Sequence, residues 1–597
     1  MQYNIPTICS SIFNLSKTIT TSSEDNIDAW KHWKYQIWFD TFDILTMLYS
    51  NKLRVGLKEI QVTMQYPNVQ EFVCDWTKPL PLEDFDSMID YNINDIESTT
   101  ELLNRCKKDI DLRIAIEDEY GVRVLSKDGV NIGMKILTQK YLEKGIICDL
   151  FEGNIPFRPR YIVPDYEKFM RNGSKFLELT PPTNIWEATN NLLILYKHVP
   201  SITTMPVYIG NIDYLLEPFI LDENESKLAI KLFLKHIDST ITDSFCHANI
   251  GPLETKAGNI ILEVMKELEL PTPNLTLKYN NNTSQKFSIK AIETALVTAK
   301  PSFANESIFT KDFKGDFGIV SCYNGLKIGG GASTLVRIRF GKLAKESKSI
   351  EDFFNKILPE VTKELLGYID ERCKFLMEES GFFESSFLVK EGLIEKEKFT
   401  GLAGVVGIAD AVNYLLKSEN QNDRFGYSEK ANRLGLKIIE EFHNLVNQHQ
   451  SKYAGESFGR KHLLHAQVGI DTDRNESPGC RIPVGEEPPL LEHLVQSAPF
   501  HAYFPSGIGD IFVFDETYKK NPEAILDIIK GGFKENLRYF SLYSSECDVV
   551  RVTGYLVKKS EMNKLEKGES VLRDTEVLGK GARDNGKALE RRLRKEN

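Results

Sequence analysis

From about Lys135 onward, helical stretches alternate with short β-branched runs, and Pro and Gly punctuate the joins. This alternation leaves few architectures open. It predicts strands connected through helices, hence one mixed α/β fold rather than separate all-α and all-β units. No internal repeat or low-complexity linker interrupts it. With 597 residues, the chain is long enough for one large barrel-type domain or for several ordinary ones. The part before about Glu119 reads as a separate piece, aromatic-rich at Trp30, Trp33, Trp38 and Phe39 and acidic from Asp84 to Glu97.

Within the alternation some elements stand out. Ser349 and Asp352 open a helix in capping-box style, and Phe353, Ile357, Val361, Leu365, Ile369 and Cys373 follow at steps of four on one face. Cys373 is therefore read as core packing. A second, apolar helix is expected over Leu402 to Leu416, closely packed through Gly401, Ala403, Gly404 and Gly407, and a third, amphipathic one over Glu429 to Asn447. Two segments differ. Asp316 to Gly325 reads as a buried strand ending in a turn, and Asp548 to Val557 reads as two apolar runs broken by Gly554. In each, the punctuating residue sits where a strand could present it at a loop tip. Gly329-Gly330-Gly331 could cradle a phosphate with free amides, though a flexible turn is the simpler reading.

Charge and cysteine usage exclude several functions. A formal net charge of −11 argues against a general nucleic-acid or membrane-surface binder, which would need a basic footprint. The basic tail from Lys587 to Lys595 is short and reads as a solvated helix end. No stretch reaches the length of a membrane span, and Met1 to Leu15 lacks the pattern of a secretory leader, so a cytoplasmic location is expected. The nine cysteines form no C-x-x-C pair and are odd in number, which speaks against a zinc ribbon and a disulfide framework. No metal site is expected.

Glycine at a loop tip has one distinctive chemistry. Without a side chain, its Cα can flatten and share an unpaired electron with the flanking carbonyl and amide, and the missing Cβ also permits the tight turn. Such a stabilised radical is a poor oxidant for most C–H bonds. It needs a thiol relay whose S–H bond lies between glycine and substrate in strength.

Arg551-Val552-Thr553-Gly554-Tyr555, near the C-terminus, resembles the R-V-x-G-Y signature of glycyl radical enzymes, and Asp316 to Asn324 resembles their cysteine loop. Ile147 to Gly153, Arg158 to Tyr161, Met205 to Gly210 and Leu388 to Gly392 are similar to blocks of the YjjI family of this superfamily. The resemblance runs from about Lys135 to about Ala588, and several blocks in order make it specific. It implies a ten-stranded α/β barrel of two five-stranded halves with outer helices, the cysteine and glycine loops meeting inside. Gly554 would carry the glycyl radical and Cys322 the thiyl radical. No cofactor would be bound permanently. A separate iron–sulfur activating enzyme using S-adenosylmethionine would install the radical, and the protein would be oxygen-sensitive and homodimeric. On this basis residues 1–125 are an N-terminal extension, 126–535 the barrel with its cysteine loop, and 536–597 the radical domain.

The reaction is where this chain departs from better-known relatives. Glycyl radical dehydratases place a glutamate two residues after the cysteine, whereas Asn324 stands here, and an amide cannot be that base. Pyruvate formate-lyase needs two adjacent cysteines, and this chain has Ser321-Cys322. The region from Cys322 through Leu335-Val336-Arg337-Ile338 to Phe399–Ile408 is loosely similar to the anaerobic ribonucleotide reductase, without its four-cysteine metal site. Asp316-Phe317-Gly318 is not a kinase motif here, since no G-x-G-x-x-G loop or V-A-I-K strand precedes it. The sequence thus points to hydrogen abstraction from a small hydroxylated, sugar- or nucleoside-like substrate, with cleavage of a neighbouring C–O or C–X bond. Reductase-like reduction of a ribose, or a non-catalytic radical-domain repair protein, are the alternatives. Asn324, Glu384, His247, His465 and His501 are candidates for substrate contact or proton transfer.

Overall fold

The computed structural model describes residues 43–49, 56–72, 81–127, 159–203, 207–240, 246–270, 272–320, 323–466, 476–483, 486–552 and 555–560, with single positions 132, 135, 136, 139 and 564. They fall into two compact units, Met1–Ile155 and Pro156–Asn597.

In the first unit, helices Leu57–Thr63, Phe85–Arg105 and Lys107–Tyr120 pack around a small core of Met47, Ile60, Leu102 and Cys106. The longest buries only Asn94, Ser98 and Leu102, and Gln61 Nε2 donates to Ser98 Oγ at 2.7 Å across this interface.

The second unit is built on one eleven-stranded sheet. Its strands are β1 (Tyr161–Val163), β2 (Val207–Asn211), β3 (Cys246–Ile250), β4 (Asn274–Tyr279), β5 (Ser302–Asn305), β8 (Gly330–Arg339), β9 (Phe399–Val406), β10 (Leu463–Ala466), β11 (Gly507–Ile508), β12 (Asp510–Phe514) and β13 (Tyr539–Ser544). Two further pairs, β6 (Phe317–Val320) with β7 (Asn324–Lys327) and β14 (Val549–Val552) with β15 (Tyr555–Lys558), are antiparallel hairpins. The strands β1 to β5 are parallel, linked through helices, and β3, β4 and β5 are buried along their whole length, as strands covered on both faces must be. A second set, β8, β9, β10 and β11 on one side and β12 and β13 on the other, is also parallel within itself. It meets the first set antiparallel at β1–β8 and at β5–β13.

The sheet's two end strands, β11 and β12, are separated in the chain by Gly509 alone. Counting them as one bent strand brings the ladder round on itself in two sets of five. The structure thus has eleven hydrogen-bonded strands where the resemblance implies ten, because the backbone breaks its ladder at this glycine. A Cβ at Gly509 would stand 2.0 Å from the Tyr323 ring, so the bend follows the hairpin packed against it.

Three expectations change. Phe399–Val406 is a strand, and its helix begins only at Ile408, after Gly407 at φ +79°. An unbroken apolar run has no period to separate a buried strand from a buried helix. The close packing read from its glycines is real: a Cβ at Gly401 would lie 2.4 Å from Ile369 Cγ2. Of the glycine triplet, Gly329 lies in the turn between β7 and β8, at φ +76°, but the other two do not. Gly330 and Gly331 begin β8, where added Cβ atoms would meet the Lys398 and Tyr161 carbonyl oxygens at 2.2 and 2.1 Å. Finally, Ser349 caps its helix by accepting from Asp352 N at 3.1 Å, but Asp352 Oδ2 accepts from Lys348 N rather than from the cap residue. That helix continues to Glu379 through two π turns, Phe353–Ile357 and Phe375–Glu379, with Cys373 in the core as expected. The helix Glu429–Gln448 matches its expectation.

Candidate active site

The polypeptide alternates around the sheet so that one set of side chains meets the outer helices and the other faces inward. On β8, β9, β10 and β11, Ile338, Val405, Ala466 and Ile508 pack in the outer core. Their neighbours Arg337, Gly404, His465 and Gly507 stand in one register row on the opposite face. Across the sheet, Asn249 on β3 faces the same interior. Its Oδ1 accepts from Ile319 N at 2.9 Å and its Nδ2 donates to Ile319 O at 3.2 Å. One buried amide therefore fastens β6 to the barrel wall in the way a neighbouring strand would. Gly318 fits beside it because a Cβ there would be 2.8 Å from both Tyr208 and Val163.

The far end of that hairpin is held by glycines. Tyr323, at φ +71°, lies on the β11–β12 bend: a Cβ at Gly507 would be 1.7 Å from the Tyr323 carbonyl oxygen. Its ring packs tilted against Tyr539 with centroids 3.9 Å apart, and Tyr539 Oη shares a 2.6 Å hydrogen bond with Thr276 Oγ1. Ser506 accepts from Gly325 N through its carbonyl and donates through Oγ to Asn324 Oδ1 at 3.2 Å. Cys322 and Gly554 lie outside the described residues, as does Ser321. What is described is their frame: residue 322 is the chain neighbour of Tyr323, and Gly554 falls between the paired strands β14 and β15.

The histidines separate in this frame. His465 is fully buried between two glycine positions, Gly404 covered by the Arg337 stem and Gly507 covered by the Tyr323 backbone. Neither of its ring nitrogens has a hydrogen-bond partner of good geometry, although the Gly507 backbone stands close enough to favour the protonated ring. Burial, with the Arg337 guanidinium adding to it, pushes its pKa down to about 3, so the ring is neutral. His247 is buried on β3, two residues before Asn249 and on the same face. His501 is different. Its Nδ1 accepts from Arg538 N at 2.9 Å, its carbonyl accepts from Arg538 Nε at 2.7 Å, and Nε2 lies 3.4 Å from Ser497 Oγ. It docks a 3-10 turn on the start of β13 rather than reaching the interior. Glu384 is exposed on the four-residue helix Phe382–Ser385. Asn324 is fully buried, and with Oδ1 engaged by Ser506 its Nδ2 remains without a partner. Tyr161 Oη is a further buried atom without a partner.

Sequence reasoning missed Asn249, Arg337 and Lys300. Lys300 is fully buried before β5, its Nζ 3.1 Å from Ser302 Oγ and 6.0 Å from the Tyr323 ring centroid. The available signal was alternation: His247 and Asn249 are polar at every second position of an otherwise apolar run, and Arg337 interrupts Leu335-Val336-Ile338. No such signal marks Lys300.

Solved structures share this arrangement of strands. The anaerobic ribonucleotide reductase of Thermotoga maritima superposes with a TM-score of 0.56 at 12% identity, over 81% of this chain and 92% of that one. The hydroxyproline dehydratase of Clostridioides difficile gives 0.50 at 13%, over 64% of this chain and 66% of that one. The fold is that of a glycyl radical enzyme barrel. Within that class, the model of the YjjI-like glycyl radical enzymes matches residues 126–594, and the chain belongs to this family. An uncharacterized protein of Haemophilus influenzae is 50% identical over 460 residues, 76% of this chain and 89% of its own length. The uncharacterized protein YjjI of Escherichia coli is 42% identical over 460 residues, 76% and 88% respectively.

Proposed function

We propose that this protein is a radical lyase acting on a small hydroxylated substrate held in the barrel interior. Gly554 stores the radical, Cys322 transfers it, and a separate S-adenosylmethionine-dependent iron–sulfur enzyme installs it. In this reading the barrel with its cysteine loop runs on through β13 (Tyr539–Ser544), the segment after it carries the radical, and the protein works as a cytoplasmic homodimer. The observation that supports it most is the group of buried polar atoms without partners inside the barrel: both His465 nitrogens, Asn324 Nδ2 and Tyr161 Oη. Buried polar groups are costly when unpaired, and a hydroxylated ligand supplies donors and acceptors for all of them.

The chemistry balances without an external reductant. The thiyl sulfur takes a hydrogen atom from a carbon that bears a hydroxyl. His465, neutral and beside the Tyr323 backbone, accepts the proton of that hydroxyl as the neighbouring C–O bond breaks. The proton goes to the departing hydroxide, giving water, and the product radical recovers its hydrogen from Cys322. Asn324 donates to the substrate through Nδ2 rather than acting as base.

Electron paramagnetic resonance on anaerobic protein treated with its activating enzyme tests the reading. A doublet is expected in wild type and absent in Gly554→Ala. Cys322→Ser should keep the doublet and lose turnover. Turnover that requires an added reductant would favour reduction of a ribose instead, and no doublet with a competent activating enzyme would overturn the assignment.

A further inference from the structure

We infer that Asp510 is a positioning residue for the cysteine hairpin, holding from the outer side of the sheet the bend on which Tyr323 rests. The inference rests on Cys322 being the relay thiol. The cradle under the hairpin is short. Ser506 accepts from Gly325 N through its carbonyl and donates to Asn324 Oδ1, while Gly507 and Gly509 lie against the Tyr323 carbonyl and ring. Glycines have no side chain with which to anchor such a segment, so its position must come from its flanks.

Asp510 is the next residue, the first of β12, and is 2% exposed. The pleat sends Ile511 into the cluster that holds Tyr323 and Tyr539, and Asp510, like Phe512, to the opposite face. There Oδ1 accepts from Arg481 Nε at 2.6 Å and from Ile511 N at 2.8 Å, and Oδ2 accepts from His493 Nε2 at 2.8 Å. Arg481 and His493 are themselves buried. Burial disfavours the carboxylate, but His493 and Arg481 outweigh it and hold the Asp510 carboxyl well below the ordinary range. Each arm ends on a different element. Arg481 belongs to the segment whose Ser477 and Gly479 carbonyls accept from Gly407 N and Ile408 N, just after β9. His493 belongs to the helix Leu490–Ser497, and its bond to Asp510 closes a loop of 17 positions that contains the whole cradle. Desolvation offsets much of the attraction in a buried ion pair, so fixed geometry is its better-attested use. Here the geometry fixed is that of the bend, and through Tyr323 that of residue 322.

The test uses full-length protein carrying Asp510→Asn, His493→Phe or His493→Gln. In radical-free samples, hydrogen exchange followed by mass spectrometry should rise about tenfold or more in a peptide spanning 323–327 for Asp510→Asn and His493→Phe. It should stay at the wild-type rate in β4, and in both peptides for His493→Gln, which keeps a donor for Oδ2. In activated samples the doublet should form in wild type and in every variant. Its collapse in D2O, which requires transfer between Gly554 and the Cys322 thiol, should slow about tenfold or more in the two loosened variants. A lower melting temperature with wild-type exchange at 323–327 would show that the triad serves stability alone, and would overturn the inference. So would loosening by His493→Gln as large as by His493→Phe. Absence of a doublet in wild type would instead remove the radical reading, and exchange in radical-free protein would still decide the role of Asp510. Should Asp510→Asn fail to fold, the two His493 variants carry the comparison.

Discussion

Asn249→Leu should loosen the cysteine hairpin while leaving the barrel wall in place. The two side chains share one branched heavy-atom skeleton, so the change is the loss of two hydrogen bonds to Ile319 together with the greater bulk of Leu. Ile319 is 2% exposed, and its N–H and C=O turn away from β7 toward Asn249. Each backbone group left buried without a partner costs about 1–3 kcal/mol, so the pair costs about 2–6 kcal/mol against the closed hairpin. At about 3 kcal/mol, local opening becomes roughly 150-fold more frequent, since about 1.4 kcal/mol is a factor of ten. Hydrogen exchange followed by mass spectrometry on a peptide spanning 317–320 reads this directly. In D2O a second readout follows from the relay: the Cys322 thiol carries deuterium, and reversible transfer to Gly554 replaces its α-hydrogen and collapses the radical doublet. That collapse should slow in the variant. Unchanged exchange at Ile319 would show that β6 is held by something other than this amide, and the argument for Asn249 as a substitute strand would fail.

Gly507→Ala should be more damaging to the relay, because the new Cβ meets the Tyr323 carbonyl oxygen and the residue sits at φ +137°; strain of about 2–5 kcal/mol is expected, with the doublet persisting in D2O. Glu384→Gln, at an exposed position, should alter stability by under about 0.5 kcal/mol and leave radical yield and deuterium exchange as in wild type. A loss of exchange there would return Glu384 to the site. Burial pushes the pKa of His465 and of His501 down to about 3, below the ordinary histidine value of about 6.5 in an unfolded chain. Between those values the unfolded state binds more protons, so stability falls as pH drops from about 6.5 toward 3 and is untouched above that window. His501→Asn keeps an acceptor for Arg538 N and should flatten this acid slope in melting curves; an unaltered slope would show that His501 is not held neutral.

Much of the mixed α/β character was legible because buried strands and amphipathic helices leave different periods in a sequence. The hairpin Val549–Lys558 was visible as two apolar runs broken at one place, whereas of the hairpin Phe317–Lys327 only the first strand and its turn were read. Phe399–Val406 was misread because every one of its residues is buried, which erases the alternation that marks a strand. His465 and His501 illustrate the limit for the site. Both are histidines followed by alanine in apolar surroundings, and nothing local distinguishes the one with two unpartnered nitrogens from the one that accepts a backbone amide.

By itself the sequence determined the radical-enzyme signature, the family and the alternating elements, since these depend on residue types at short spacing. Only the tertiary structure decided that Gly404 and Gly507 frame His465, that Asn249 secures Ile319, and that Lys300 stands near the Tyr323 ring. Those relations join residues tens of positions apart, 70 in the case of Asn249 and Ile319. They arise because inward-facing positions of distant strands come into register only when the sheet curls around the hairpin.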